Sequence, residues 1–283
     1  MNIMTTVSKI FLATFMLLGI YFIGLKNSQV KSHAFLYKFD FKHHTNRPDL
    51  VLTDYVLVNK KGDTTFTSFY NQMKRDSINS IRKMSSQERF DFRINEYPYY
   101  IETVEDKILF TAEVGDQYFQ YEEQIRFKWN ITDSIRKINS YKCKFATTTY
   151  AGRIWNAWFT QDIPINVGPY KFKDLPGAII EINDSENIFK YSLIKFKEKR
   201  EVRLEHFSSV TKNAMEKTTR KEFNKHQQAY LALSFEQRMA YLSRGEAGII
   251  KGTFNSEDGE VDFKSKSLDE MDDYQFIEID HIE

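Results

Sequence analysis

The sequence predicts an α+β fold: a strongly curved antiparallel β-sheet, half-barrel-like, with helices packed against it. Three observations carry this. Residues 35–70 and 97–207 read as a succession of short β-prone runs, several with strict alternation. Two stretches, 76–92 and 212–244, carry helical spacing. Proline and glycine crowd into 163–180, where they break the β pattern with fixed turns. An unclosed sheet needs its concave side filled, and the two helical stretches are the candidates to fill it.

The elements follow in order. Met1 to Lys9 is basic and free of acid, Ile10 to Leu25 is an uncharged, mostly apolar run of 16 residues, and Ser32-His33-Ala34 resembles a small-residue cleavage site. That is the three-part form of a secretory signal over 1–34, with an N-terminal anchor as the alternative. Residues 35–283 then form one β-rich domain. In Phe35 to Lys42 the aromatics Phe35, Tyr37, Phe39 and Phe41 share one face of a strand. Residues 51–58 and 64–70 flank Lys60-Lys61-Gly62-Asp63 as a hairpin. Ile78, Ile81 and Met84 suggest a short helix. Residues 99–104, 107–114 and 117–127 are strands, and Asn130 to Asp133 reads as a turn. Residues 140–149 and 153–160 flank a tight connection at Ala151-Gly152, and 188–196 and 200–207 continue the sheet. Leu231, Phe235, Met239 and Leu242 form an apolar stripe within the C-terminal helices, with Ser234 and Gln237 as a capping box. Residues 274–279 end the chain's pattern as a last strand.

Composition bounds the partners. With 24 Phe and 16 Tyr in 283 residues there is ample surface to bury. Lys and Arg number 40 against 39 Asp and Glu, so a basic footprint for nucleic acid is absent. The single cysteine, Cys143, lies in an alternating run with Tyr141 and Phe145 and reads as a half-buried strand residue.

Three of the five prolines fall between Ile163 and Ile180. Proline removes the backbone donor at 164, 169 and 176, so no central strand runs through them. Pro176-Gly177 fits a type II turn. The segment is therefore a stiff, structured loop that enters the sheet at Ile179. Its run Gly168-Pro169-Tyr170-Lys171-Phe172-Lys173-Asp174-Leu175-Pro176-Gly177-Ala178-Ile179 resembles the signature of the GLPGLI family, exported proteins common in Bacteroidota. The resemblance extends over 139–189, through Ser140 to Ala146, Gly152 to Phe159 and Asp162-Ile163-Pro164. It makes Gly168, Pro169, Leu175, Pro176 and Gly177 the structural motif. It implies location and fold, and supplies no catalytic residue. Two positions depart from the signature: its first Gly is Asp174 and its second Leu is Ala178.

None of the six histidines stands at zinc spacing, no Gly-x-Ser-x-Gly elbow occurs, and no phosphate loop is present, so the residues imply no metal and no cofactor. Trp155, Trp158, Tyr170 and Phe172 are the candidate ligand-binding residues, because aromatics suit apolar and peptide ligands. The reading that follows is an exported envelope protein, periplasmic, outer-membrane-associated or secreted. It binds an apolar ligand or an extended partner segment without catalysis. A hydrolase assembled from distant strands and a structural accessory of an outer-membrane protein, working through a strand edge, are the alternatives.

Overall fold

The structure, a computed structural model, describes residues 31–42, 49–70, 99–115, 117–199, 215–233, 237 and 277–278. Twelve strands form one sheet: β1 Ser32–Lys42, β2 Val51–Lys61, β3 Thr64–Phe69, β4 Tyr99–Val104, β5 Lys107–Val114, β6 Gln117–Gln124, β7 Asn130–Ile138, β8 Tyr141–Tyr150, β9 Arg153–Thr160, β10 Ala178–Asp184, β11 Phe189–Lys199 and β12 Glu216–Lys217. One helix, α1, spans Arg220–Leu231. The spatial order is β12-β6-β5-β4-β3-β2-β1-β11-β10-β9-β8-β7. Neighbours are antiparallel except the two-residue pairing of β12 with β6. The leader before Lys31, the helix over 76–92, and Ser234, Phe235, Met239 and Leu242 of the C-terminal stripe lie outside the described residues.

β1 lies mid-sheet, paired over its length with β2 and β11. Its alternation has the consequence expected of a period of two: Phe35, Tyr37, Phe39 and Phe41 are all buried. Phe39 stacks on Tyr191 of β11 at 4.3 Å and meets Phe69 of β3 edge-on at 6.3 Å. The compact unit that holds the sheet begins at Ser32, and Ser32 and Ala34 are themselves buried. β8 and β9 turn at Ala151-Gly152 with φ of 54° and 80°, the left-handed pair of a type I′ hairpin. Asn130 to Asp133, which reads as a turn, instead opens β7. The pairing with β8 shifts register between Ile131 and Ile135, so the turn-forming residues sit in a bulged part of an edge strand.

The sheet curls. β4 and β11 are four places apart, roughly 19 Å on a flat sheet. Yet the Tyr99 and Tyr191 hydroxyls stand 3.2 Å apart. β6 and β8 are nine places apart, and the Lys171 ammonium still donates to Tyr121 of β6 at 2.9 Å and to Tyr150 of β8 at 3.3 Å.

The predicted class is nevertheless overturned. The described residues are 63% strand and 8% helix, which makes the protein mostly β and not α+β with packed helices. The physical reason lies in what fills the concave side. Among the described residues the aromatic inner face of the sheet and the 161–177 loop fill it, and α1 contributes Phe223, packed against Phe110, Phe119 and Tyr121. The remaining side chains of α1 are chiefly polar, and its start is fixed by the Thr219 hydroxyl accepting from the Glu222 amide. No helix among the described residues is long and apolar enough to cross a membrane.

Candidate functional site: the Pro/Gly loop and the charges beneath it

Residues 161–177 link β9 to β10 and turn inward through three proline-directed bends. Around Pro164 and around Pro176 the flanking residues close three-residue turns, Ile165 N to Ile163 O at 2.8 Å and Gly177 N to Leu175 O at 2.8 Å. Proline's fixed φ suits this geometry, so the expected type II turn at Pro176-Gly177 is replaced by a tighter one. Between them, Phe172 N donates to Pro169 O at 3.2 Å, with Tyr170 left-handed at φ 56°. The loop is pinned on every side. Ile179 N bonds Val167 O, the Tyr37 hydroxyl bonds Ile179 O, Thr67 bonds Tyr170 O, and the Trp129 indole donates to Lys173 O.

Asp174 occupies a left-handed position, φ 73°, where the GLPGLI signature that the segment resembles has glycine. Its carboxylate compensates by accepting from the Phe127 amide at 3.0 Å, while its own amide donates to Asn166 at 2.7 Å. Asp174→Gly is expected to stay within about 1 kcal/mol of the parent, because relief of the left-handed backbone offsets the lost hydrogen bond. Asp174→Ala forfeits both and is expected to cost about 2 kcal/mol in a denaturant titration.

The bend at 169–172 sends three consecutive side chains inward. Phe172 packs on Trp155 at 4.6 Å and Phe127 at 5.3 Å. Tyr170 meets Tyr99 edge-on at 5.2 Å. Trp155, Tyr170 and Phe172 are thereby brought together as buried core, and Trp155 has no exposed surface. Trp158 is not with them. It lies on the opposite face of β9 against Phe145, under the Arg136 guanidinium at 4.4 Å. Cys143 is fully buried in β8, and burial pushes its thiol up to about 11, which favours the protonated form.

Lys171 lies between the two aromatics and is the residue sequence reasoning passed over. Its ammonium is wholly buried and faces the rings of Phe110, Tyr121, Tyr170 and Tyr150 at 4.7 to 5.9 Å. It pairs with Glu123 of β6 and, at 2.7 Å, with Glu278. Glu278 also accepts from the Tyr150 hydroxyl at 2.6 Å, the Tyr170 hydroxyl at 2.7 Å and Arg220 Nε at 2.7 Å. Burial alone would raise the Glu278 carboxyl. Lys171 and Arg220, with the hydrogen bonds from Lys171 and Tyr150, outweigh burial and hold it at about 2. Burial, and then the Glu278 charge, raise both tyrosines well above their ordinary value, so they remain donors. A cavity of about 50 Å³ beside the cluster, bordered by Tyr99, Phe110, Phe223 and Asn224, has room for a few waters. The arrangement can bind and neutralise charge.

On the solvent side the same loop walls a larger, polar cleft of about 220 Å³. Lys60, Asp63, Thr65, Thr103 and Asp106 face residues 166–174 across it. Burial and the neighbouring Lys173 lower the Lys60 ammonium, against the partial support of Asp63. Lys173 is held by the Glu105 carbonyl at 2.9 Å. No group of three or more His, Cys, Asp or Glu side chains placed to hold a metal occurs among the described residues.

No curated protein matches the chain in sequence. Among solved structures the chain is similar to PNGF-II in two space groups, with a TM-score of 0.49 and 10% identity in each. These matches cover 71% of this chain and 33% and 34% of those chains, so the chain spans about a third of their length. An uncharacterized conserved protein from Thermus thermophilus matches with a TM-score of 0.36 and 8% identity, over 68% of this chain and 93% of that one. A family model described as a protein of unknown function (Porph_ging) matches residues 152–181, which take in β9, the whole Pro/Gly loop and the start of β10. Over that stretch, where the GLPGLI resemblance also lies, the chain is similar to a family that carries the Porph_ging description and not the GLPGLI name.

Proposed function

We propose that this is an exported envelope protein that binds an extended, polar partner segment without catalysis, and that the binding surface is the cleft walled by residues 166–174. The observation that carries this reading is the contrast between the two sides of the loop. Beneath it the interior is packed with aromatics, leaving a cavity of about 50 Å³. Above it the cleft is about 220 Å³ and polar, with Lys60 and Lys173 set against Asp63, Asp106 and Asp174. Both signs of charge beside loop backbone suit a peptide, which carries its own dipoles and mixed charges. An apolar ligand would find few carbon surfaces there.

The test is titration of a mixed-sequence hexapeptide pool into isotopically labelled protein, followed by amide resonances. Shifts confined to 60–65, 103–106 and 166–174, abolished when Thr65 and Thr103 are both replaced by Trp to fill the cleft, are the expected result. Shifts that map to other residues, or none at millimolar peptide, would remove the reading.

A further inference from the structure

We propose that the cluster beneath the loop is a carboxylate-recognition site, which the chain fills with its own Glu278, so that Ile277 and Glu278 act as a tethered ligand. This goes beyond the cleft reading and does not depend on it.

Glu278 receives four hydrogen bonds, three on Oε1 from Tyr150, Tyr170 and Lys171 and one on Oε2 from Arg220. The donors come from the end of β8, from the loop and from the start of α1, up to 128 residues away in sequence. Each donor is positioned by something other than Glu278, Tyr150 by edge-on packing against Phe127 at 5.2 Å. Lys171 is fixed by the Tyr121 hydroxyl, by four rings and by Glu123. The Arg220 guanidinium lies over the Tyr150 ring at 5.6 Å. Tyr170 is set by the turn at Pro169 and by Tyr99. The receptor is therefore preorganised, which is what distinguishes a binding site from an ion pair that two mobile side chains make together.

Charge supports the same conclusion. Two of the four donors to Glu278 are cations, Lys171 and Arg220, and each pairs with it at 2.7 Å. Without Glu278 the site would present two cationic donors and two tyrosine hydroxyls between aromatic walls, sized for a carboxylate. Ile277 is buried beside it, and the adjoining cavity is also bordered by the Asn224 amide, 3% exposed, whose Nδ2 meets no acceptor among the described residues. The ligand class is thus a carboxylate on a short aliphatic stem with an apolar neighbour, as Ile277-Glu278 supplies.

Glu278→Ala in the full chain removes an acetate-sized group and leaves the donors. Thermal unfolding is followed in sodium acetate, in sodium chloride of equal ionic strength, and in chloride with acetamide, the neutral isostere. The variant's Tm is expected to rise by about 3 °C or more in 0.2 M acetate over chloride, as a ligand bound only by the folded state requires. Acetamide should not shift it, and the parent chain should not respond to acetate. An equal response of parent and variant, an equal effect of acetamide, or no response to acetate overturns the proposal. If Glu278→Ala fails to fold in chloride, refolding yield replaces Tm. Recovery in acetate but not acetamide supports the site; recovery in both or in neither overturns it.

Discussion

Lys171→Met is expected to destabilise the protein by about 3–5 kcal/mol at pH 7, the cost typical of stranding buried charge when one partner of an ion pair is removed. Lys171 has no exposed side-chain surface, so water cannot replace it. Met fills most of the volume, and the loss is therefore electrostatic and not a cavity. What is left behind is Glu278, 7% exposed, and Glu123, with Arg220 as the remaining neighbouring cation. The effect carries a pH signature. In the parent the Glu278 carboxyl is held at about 2 against an ordinary 4.5, so its contribution is complete above about pH 4.5 and is lost as pH falls toward 2. That interval corresponds to roughly 3 kcal/mol. In the variant one of the two opposing cations is gone, Arg220 alone works against burial, and this contribution is already reduced at pH 7. The gap between parent and variant should therefore narrow as pH falls through 4.5 toward 2. Guanidinium titrations at pH 7, 5 and 3 read it directly. A constant gap across the three would show that the cluster's charges are not coupled as described.

Much of the loop was legible in the sequence, and the reason is local. Pro164, Pro169 and Pro176 fix φ whatever surrounds them, so a stiff segment entering the sheet at Ile179 could be read from residue identity. Asp174 could be marked as a departure from the signature the loop resembles, and its left-handed φ of 73° explains both the glycine of that signature and the tolerance for Asp. The alternation of β1 was equally local. Lys171 was hidden by the opposite logic. In an extended segment Tyr170 and Phe172 would share one face and Lys171 the other, which leaves the lysine in water. The turn at Pro169 to Phe172 breaks that alternation and turns all three inward. Its partners Glu123 and Glu278, and Arg220, which pairs with Glu278, come from three other parts of the chain, and no spacing rule connects them. The fold class failed for a related reason. Helical periodicity shows that a segment can be a helix, not that it fills a sheet's interior, and here the loop took much of that place.

The loop's dependence on a single missing side chain gives the second large effect. Gly177→Ala is expected to cost about 3 kcal/mol or more, in the range of severe overpacking. A Cβ at 177 would stand 2.0 Å from the Thr160 carbonyl oxygen and 2.7 Å from its carbon. Flexible side chains can retreat from such a contact, but this neighbour is backbone. Thr160 is paired with Cys143 of β8 on one side and with Ala178 of β10 on the other, and its hydroxyl donates to the Lys142 carbonyl. Moving it means opening two strand pairings, and moving Gly177 means withdrawing the turn at Pro176. Gly152→Ala, in the β8–β9 hairpin at φ 80°, is the comparison: left-handed strain there is worth about 1–2 kcal/mol. Denaturant midpoints at constant slope compare the two. If Gly177→Ala lost no more than Gly152→Ala, the loop would be able to shift against β9, and the fixed placement of Tyr170, Lys171 and Phe172 would fail with it. A loss well above that of Gly152→Ala means that the close approach of two backbones at 160 and 177 sets where those three side chains stand. Both the cleft above the loop and the carboxylate site beneath it then trace to that contact.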